Sequence, residues 1–520
     1  MVEPASHSVI STSGWRRRAA ATVVAPAAAF AGWLFFTGYL LVQATAGPAI
    51  IWNDSLIYRK IASAPLTNSG FWSGQRPPAT PLLIKLVGSS DGYLMAQVVI
   101  AALSWGFLAW TVGRLVAPGW RRVVAVWVIL AFASAFPVTL WNRSVLSESL
   151  SMSLLAVVCA ALIWTTREVT WPRVAATTAA CLAFAATRDA QVWTVAFLAL
   201  AVGVRALVVA RKNRSRATRI GVLSVGLVAV VVLTGWGSVA SHRTPQNVAD
   251  VLYVRIFPYP GRVAWFAHHG MPQAPQIDAL AKATSTPSGQ AKVVSFSPSD
   301  PAFAPLERWV QNQATGTYFL WLATHPVYVL TEPLIRPERS YNFAQGSLTA
   351  YASTTDQYRS PLTVVVWPPL IGLLILAAVA GYLTFLSKGW RDGVWRMMLV
   401  FSAIGVLAML VAWHGDGQEV TRHTVEGLAQ LRLGLWIVIL LWFLESAPVE
   451  PDELASVPPV DSTPAPDERA GGRGATAGRH ARRSVGRPFD ASAVLAPDEP
   501  VQSDEPARSD GPLGVGNPKN

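Results

Sequence analysis

The sequence predicts an all-α polytopic membrane protein, with a bundle of about ten transmembrane helices and external amphipathic helices lying along the membrane surface. Of its 520 residues, 52% are hydrophobic and only 14% are charged. Repeated apolar runs are long enough to cross the roughly 30 Å of hydrocarbon in a bilayer. The predicted spans are residues 19–42, 93–117, 121–141, 149–165, 173–187, 190–210, 220–241, 363–386, 396–413 and 427–445.

The basic residues between these runs predict the orientation of the chain. The formal net charge is +12, and the excess lies in short loops beside the apolar runs, as the positive-inside rule requires. This placement favours a plasma-membrane protein over one that binds nucleic acid. Loops predicted to be cytoplasmic contain Arg114, Arg121, Arg122, Arg167, Arg173, Arg211, Lys212, Arg214, Arg216, Arg219, Lys388, Arg391 and Arg396. Short loops predicted to be external contain little more than Arg143, Arg188 and Arg422.

The ends of the chain complete this organisation. Residues 1–18 are predicted to be a cytoplasmic N-terminus, because three arginines directly precede the first apolar run. The sequence Ala44-Thr45-Ala46 resembles a signal-peptidase site. The preceding run, however, is about twice the length of a signal hydrophobic region, which favours an uncleaved anchor. Residues 446–520 are rich in Pro, Ala, Gly and charged residues, so we predict a disordered cytoplasmic tail.

The membrane domain is therefore residues 19–445, with two large external loops, 47–92 and 242–362. The second loop is far longer than a hairpin requires, and loops of that length are usually functional or disordered. Its aromatic content argues against disorder, although residues 280–300 have a composition typical of mobile segments. Residues 306–334, LERWVQNQATGTYFLWLATHPVYVLTEPL, predict an amphipathic helix at the membrane interface.

Ionisable residues at the outer ends of the spans are the strongest functional signal. Charge near hydrocarbon is costly and tends to be functional. The predicted topology places all of these residues on one side of the membrane. The first external loop contributes Asp54, Arg59, Lys60 and, ahead of a Pro-Pro pair, Arg76. The other loops contribute Arg143, Glu148, Arg188, Asp189, His325, His414, Asp416, Glu419, Arg422 and His423.

A carboxylate facing several cations at an external membrane surface suits glycosyl transfer from a polyprenyl-phosphate sugar. Arginines can bind the lipid phosphate bidentately and stabilise the charge it keeps as leaving group. The acceptor hydroxyl needs a carboxylate to take its proton. The first external loop holds two acids, and Asp91 lies in a Ser-Ser-Asp-Gly turn where the chain re-enters the membrane. Asp54 is therefore the predicted general base.

Structural roles compete with each of these assignments. Asp54 could be the N-cap of a helix that begins at Ser55. Arg143, Arg188 and Arg422 could be interfacial residues that extend toward the lipid headgroups, and Glu148 could stabilise the N-terminus of its span. The two cysteines, Cys159 and Cys181, both lie inside apolar segments and are predicted to pack as small apolar side chains.

A metal or other cofactor is not predicted. His414, Glu419 and His423 have a spacing that a metal could use, but the chain contains neither an HExxH nor a DxD motif.

Four motifs, in order, resemble elements of the GT-C superfamily of glycosyltransferases, in particular protein O-mannosyltransferases and lipid A aminoarabinose transferases. QRPPATPLLIKLVG (75–88) is similar to their RPPLYPLLLAL element, and SESLSMSLL (147–155) to their SEPLFLFLL element. ATRDAQVWTV (186–195) is similar to LTRPEGLLLL, and TRHTVEGLAQLRLGLWIVILLW (421–442) to the closing ERYLLPLLPLLALL. The resemblance extends over about residues 30–445.

This resemblance implies an external catalytic pocket, a polyprenyl-phosphate sugar donor and a glycan, lipid or protein acceptor in the cell envelope. It implicates Asp54 as base and Arg76 and Arg188 as cations of the donor pocket. The other residues expected in the pocket are Glu148, Arg422, Arg59 and His423. The chain departs from the family pattern at Asn53-Asp54, where many members have paired acids, at Thr80 in place of Tyr, and at Asp189 in place of Pro.

Residue usage resembles that of high-GC actinobacteria, where decaprenyl-phosphate arabinose or mannose would be a plausible donor. Two other functional classes remain open on the sequence alone. A transporter or flippase of lipid-linked sugars would also need external cations, but should show broken helices with mid-membrane charges and inverted repeats. A non-catalytic scaffold is the second alternative, if Asp54 proves dispensable.

Overall fold

The computed structural model describes residues 12–241, 243–273, 278, 301–335, 360–387, 389, 392–415, 417 and 420–445. The chain divides into two units, Met1–Pro448 and Val449–Asn520, and every described residue belongs to the first. The predicted tail, residues 446–520, lies outside the described residues. So do residues 1–11 of the predicted N-terminus and all of 280–300.

All regular elements in the described part are helices, apart from one isolated parallel bridge between Ile50 and Ser144. The predicted class, an all-α polytopic membrane protein, is confirmed. The helices are α1 Thr12–Thr45, α2 Asn53–Ser63, α3 Ser69–Trp72, α4 Ala79–Val87, α5 Ser90–Gly113, α6 Trp120–Ala133, α7 Phe136–Thr139, α8 Glu148–Arg167, α9 Trp171–Ala185, α10 Asp189–Ala210, α11 Arg214–Ala240, α12 Arg243–Val251, α13 Pro260–His268, α14 Ala304–Trp309, α15 Thr315–Thr324, α16 Pro326–Ile335, α17 Thr363–Val366, α18 Leu370–Leu386, α19 Gly393–Gly415 and α20 Val420–Glu445.

Seven described helices are long and apolar enough to span a membrane, and an eighth span exists if one bent pair is counted. The bent pair is α6 with the helical segment Phe136–Arg143, inclined by 56°. The sequence predicted one continuous span over 121–141. The helix breaks there because Ala135 is extended and Pro137 cannot donate a backbone hydrogen bond. Helix α9, with 15 residues, and α18, with 17, are shorter than the seven.

A second break interrupts the predicted span 363–386. Pro368 and Pro369 separate α17 from α18 and leave backbone carbonyl groups without helical donors. The Arg432 Nη2 group donates to the Pro368 carbonyl oxygen at 2.9 Å, and the Trp436 indole donates to that of Val366 at 3.0 Å. Carbonyl groups must be satisfied by protein inside a membrane. Arg432, buried in α20, therefore stabilises a broken helix.

The described part of the second loop predicted to be external has its own small hydrophobic core. Its buried side chains come from α12 to α15 and include Phe266, Trp309 and Trp321. The predicted interfacial helix over 306–334 is two helices. The first runs from α14 through a π-helical stretch, Val310–Ala314, into α15, and the second is α16, which begins at Pro326. Exposed apolar side chains lie on both, including Phe319 and Leu330.

The topology remains a prediction that cysteine labelling can test. We expect Thr67→Cys and Ser288→Cys to react with a membrane-impermeant maleimide in intact cells, and Ser462→Cys to react only after permeabilisation. The two native cysteines are free but buried, so background labelling should be low. Labelling of Thr67→Cys and Ser288→Cys from opposite sides would contradict the arrangement of the two loops.

Candidate active site

Helix α2 places Asp54 in its first turn. The helix begins at Asn53, with Trp52 as N-cap, and the Trp52 amide donates to the Ser55 hydroxyl at 2.9 Å. The interpretation of Asp54 as the N-cap of a helix that begins at Ser55 is therefore wrong. The Asp54 carboxylate instead bonds with arginines from other parts of the chain.

Several hydrogen bonds fasten α2 to the end of the membrane bundle. The Ile50 amide donates to the Arg143 carbonyl oxygen at 2.8 Å, which closes the bridge beside Ser144. The Ser55 hydroxyl donates to the Val145 carbonyl oxygen at 2.8 Å, and the Tyr58 hydroxyl lies 3.2 Å from that of Ser147. These contacts position Asp54 beside the N-terminus of α8, where Glu148 lies.

The Pro-Pro element places Arg76 opposite Asp54. Helix α4 follows the prolines directly, and the Ala79 amide donates to the Ala186 carbonyl oxygen at 3.0 Å. The turn that contains Ala186 leads to Arg188. On α4, the Lys85 ammonium donates to the Ala62 and Ala64 carbonyl oxygens, each at 3.0 Å. The loop that contains Arg76 is therefore fastened both to α2 and to the turn before α10.

Six side chains form one continuous series of ion pairs of alternating sign, which we call the charged cluster. Arg76 Nη2 lies 2.5 Å from Asp54 Oδ1, and Arg422 Nη2 lies 3.0 Å from Asp54 Oδ2. Arg422 Nε also donates to Glu148 Oε1, and Arg188 Nη2 lies 3.5 Å from that same oxygen. Arg188 Nη1 donates to Glu426 Oε1, which ends the series. Its members are Arg76, Asp54, Arg422, Glu148, Arg188 and Glu426.

Exposure falls from Arg76 to Glu148, the first and fourth members of this series, and the last two, Arg188 and Glu426, are also buried. The exposed fraction of the side chain is 35% for Arg76, 17% for Asp54, 4% for Arg422 and 0% for Glu148. A ligand arriving from solvent would therefore meet Arg76 and Asp54 first. The remaining members form a rigid support behind them, because buried charges are stable only when each has its partner.

The electrostatics at the open end keep Asp54 ionised. Burial alone would raise the pKa of the Asp54 carboxyl, but Arg422 and Arg76 together hold that pKa below its ordinary value. Burial would lower the pKa of Arg76, and Asp54 more than offsets this, so that pKa is raised. Burial also raises the pKa of the neighbouring Tyr58 hydroxyl, which therefore stays neutral.

Three buried polar atoms of the cluster have no hydrogen-bond partner among the described residues. They are Arg76 Nε, Glu148 Oε2 and Glu426 Oε2. An unsatisfied buried polar atom costs about 1–3 kcal/mol. Arg76 Nε matters most for binding, because it is a spare donor on the cation nearest to solvent.

The structure brings together most of the predicted site residues. Asp54, Arg76, Glu148, Arg188 and Arg422 belong to the charged cluster, and His423 joins it because its Nδ1 lies 2.6 Å from Arg188 Nη2.

Arg59, which was also expected in the pocket, does not belong to the charged cluster. It follows Asp54 by five residues on α2, about 140° around the helix. Its side chain is exposed and donates to the Ser90 hydroxyl.

The other ionisable residues that were predicted at the outer ends of the spans lie in neighbouring parts of the structure. Arg143 is buried and donates to the Pro48 carbonyl oxygen at 3.3 Å, which holds the start of the first loop. His325 stacks on Trp321, and His414 Nε2 lies 3.0 Å from the Val329 carbonyl oxygen, so both histidines belong with the second loop. Asp416 and Glu419 lie outside the described residues.

Glu426 is the cluster member that sequence reasoning missed. It follows Arg422 by four residues on α20, so the two side chains lie on one face of the helix. The available signal was its position directly before the last predicted span, 427–445, because charge close to the hydrocarbon tends to be functional.

Among the described residues, no group of three His, Cys, Asp or Glu side chains is close enough together to hold a metal ion. The carboxylates of the charged cluster are occupied by guanidinium groups instead. Together, fold and site define an all-α multi-pass membrane protein with an ionised carboxylate held between two arginines at one end of its bundle.

Comparisons with known proteins are sparse. No protein-family model matches the chain, and no curated protein matches it. Among solved structures, it is similar to the archaeal oligosaccharyltransferase AglB from Archaeoglobus fulgidus, determined in complex with an inhibitory peptide and a dolichol-phosphate. The identity is 11% and the TM-score 0.40, over 78% of this chain and 50% of AglB. This chain therefore spans about half the length of that protein, and a likeness of this size assigns no family.

Proposed function

We propose that this protein is a GT-C-type membrane glycosyltransferase that moves a sugar from an external polyprenyl-phosphate donor to a cell-envelope acceptor. The observation that carries the proposal is the position of Asp54, an ionised carboxylate at the open end of the cluster with an arginine on each oxygen. Base and phosphate-binding cations are thus adjacent, as transfer from a sugar phosphate requires. The four sequence motifs support the same class.

Arg76 is the first ligand of the donor phosphate in this proposal. It is the most exposed cation of the cluster, and its buried Nε has no partner. A guanidinium can bind a phosphate through two parallel N–H groups. Arg422, on the other oxygen of Asp54, would reach the same phosphate from the buried side.

Phosphate binding would also activate the base. Each Asp54 oxygen now accepts a hydrogen bond from an arginine, and the two cations weaken Asp54 as a base by lowering its pKa. A phosphate that takes Arg76 would share that positive charge and free one carboxylate oxygen. The acceptor hydroxyl would then find its base only when the donor is in place.

The chemical step is a single displacement with inversion. The acceptor oxygen attacks the anomeric carbon and forms the new C–O bond, while the bond from that carbon to the phosphate oxygen breaks. Asp54 takes the hydroxyl proton. The phosphate leaves with the bonding electron pair, and Arg76 and Arg422 stabilise its new charge.

Glu148, Arg188, Glu426 and His423 act as positioning residues. Arg188 is buried between Glu148 and Glu426, so it holds Glu148 in place, and Glu148 in turn orients Arg422. Arg188 was also expected to bind the donor phosphate, and this role remains a proposal. To bind the phosphate, Arg188 would have to release Glu148 or Glu426.

The direct test is incubation of the purified protein with a panel of polyprenyl-phosphate pentoses and hexoses. Release of polyprenyl phosphate from one donor, dependent on added envelope acceptor, would support the proposal. In proteoliposomes, movement of an intact donor across the bilayer without its cleavage would instead indicate a flippase.

Substitution of Arg76 should weaken donor binding. We expect Arg76→Gln to raise the donor KM by about 10- to 100-fold, because a hydrogen bond to a charged group is worth about 1.5–3 kcal/mol. Lys60→Gln is the matched control, since it removes an exposed cation from the same loop. Equal KM values for the two variants would remove Arg76 from the phosphate site.

The same variant should change the pH dependence. Loss of Arg76 removes one of the two cations that depress the pKa of Asp54, so that pKa should rise toward its ordinary value. The base is active when ionised, so the acid limb of the kcat/KM profile should move to higher pH in Arg76→Gln. The acid limb of kcat should move less, because in the donor complex the phosphate has already taken Arg76. A shift of equal size in both profiles would contradict activation by the donor.

A further inference from the structure

A second charged feature lies at the opposite end of the bundle. There α8, α10, α11 and α19 surround a small open cavity. Its polar lining is Thr165, Thr166 and Arg205, and apolar residues such as Leu162 and Val202 form its walls. The cavity is independent of the charged cluster, since Arg205 follows Arg188 by 17 residues on α10, about 25 Å along the helix axis.

Arg205 is unusual among the basic residues at this end. It lies five residues before the end of α10, within a candidate membrane span, and it is half-buried. Its hydrogen bond to the Thr166 hydroxyl is long, 3.4 Å, and no described carboxylate lies within ion-pair distance. By contrast, Arg173 forms an ion pair with Glu168 at 2.9 Å.

The charges that face Arg205 do not neutralise it. Arg216 from α11 and Arg396 from α19 repel it, and Asp392 is the acid that attracts it. Three positive charges against one negative charge leave an excess of two. An ionisable residue inside a span is a signal of ligand binding, and the ligand that would balance an excess of positive charge is an anion.

We propose that this cavity binds the phosphate headgroup of an anionic phospholipid, with Arg205 and the Thr166 hydroxyl as its direct ligands. Basic pockets between membrane helices are suited to such headgroups. A lipid is favoured over free phosphate because the walls are apolar and Arg205 lies within a candidate membrane span. The adjoining surface of α10 is apolar and exposed at Leu207 and Val208, so acyl chains could follow it.

The test uses the full-length protein in neutral detergent, with phosphatidylglycerol, phosphatidylcholine and inorganic phosphate as separate probes. Native mass spectrometry measures lipid binding and thermal unfolding measures stabilisation. We expect a clear preference for phosphatidylglycerol over phosphatidylcholine, reduced about tenfold in Arg205→Gln by loss of the charge-assisted bonds. Arg121→Gln is the matched control, because Arg121 lies at the same end of the bundle but over the ring of Trp120.

Each other result would overturn the proposal. Equal binding of the two lipids, or equal preference in Arg205→Gln and Arg121→Gln, would show that the cavity does not select an anionic headgroup. Stabilisation by inorganic phosphate alone, lost in Arg205→Gln, would indicate a site for a soluble anion. If Arg205→Gln does not fold, Arg216→Gln at an exposed position should still weaken the preference about fivefold, the factor that corresponds to one surface cation near an anionic lipid. An unchanged preference there would equally overturn it.

Discussion

Asp54→Asn should abolish sugar transfer without weakening donor binding. Loss of a general base typically lowers kcat by about 10²–10⁴-fold. The amide keeps the shape of the side chain but cannot take the acceptor's proton. Because Asp54 competes with the phosphate for Arg76 and Arg422, its neutralisation should leave donor affinity unchanged or improved. Turnover and binding of polyprenyl phosphate, measured on the same preparation, test both halves of this expectation.

The matched control for this variant is Asp91→Asn. Asp91 is the second acid of the same loop, lies exposed in the first turn of α5, and should tolerate the change almost silently. Turnover of Asp54→Asn within a few-fold of Asp91→Asn would exclude Asp54 as the base. A large loss of donor affinity in Asp54→Asn would show that Asp54 organises the pocket instead.

The sequence was a good guide to the spans and to the end of the bundle where charges meet. Apolar runs locate membrane helices because the hydrocarbon thickness sets their length. Glu148, Arg188 and Arg422 lie close to the ends of predicted spans, and Asp54 lies in the first predicted external loop, so the predicted topology alone brought all four to one side.

The pairing within the cluster could not be predicted from the sequence. Which arginine meets which carboxylate depends on how α2 and α4 dock on the bundle, through bonds such as that from the Ala79 amide to Ala186. Glu426, directly before the last predicted span, and Arg432, inside it, were not recognised because their apolar neighbours dominate the local hydropathy. The two proline breaks were missed for a related reason, since an apolar run does not show where its helix stops.

The largest effect on stability should come from Glu148. Its fully buried carboxylate accepts from Arg422 and lies 3.5 Å from Arg188, so one oxygen serves two guanidinium groups. Removal of one partner of a buried ion pair typically costs about 3–5 kcal/mol, because the other charge stays buried without compensation. We therefore expect Glu148→Gln to lower the free energy of unfolding by about that amount in a detergent unfolding titration.

Two comparisons make this expectation specific. Glu168→Gln breaks an ion pair with Arg173 at the surface, where 64% of the Glu168 side chain is exposed. It should lower the free energy of unfolding by no more than about 1 kcal/mol. Adding Arg422→Met to Glu148→Gln should cost less than Arg422→Met alone, because members of one ion-pair network are not additive. Additive losses, or a Glu148→Gln variant as stable as Glu168→Gln, would mean that these charges do not hold one another in place. The rigid support behind Asp54 and Arg76 would then have to come from helix packing instead.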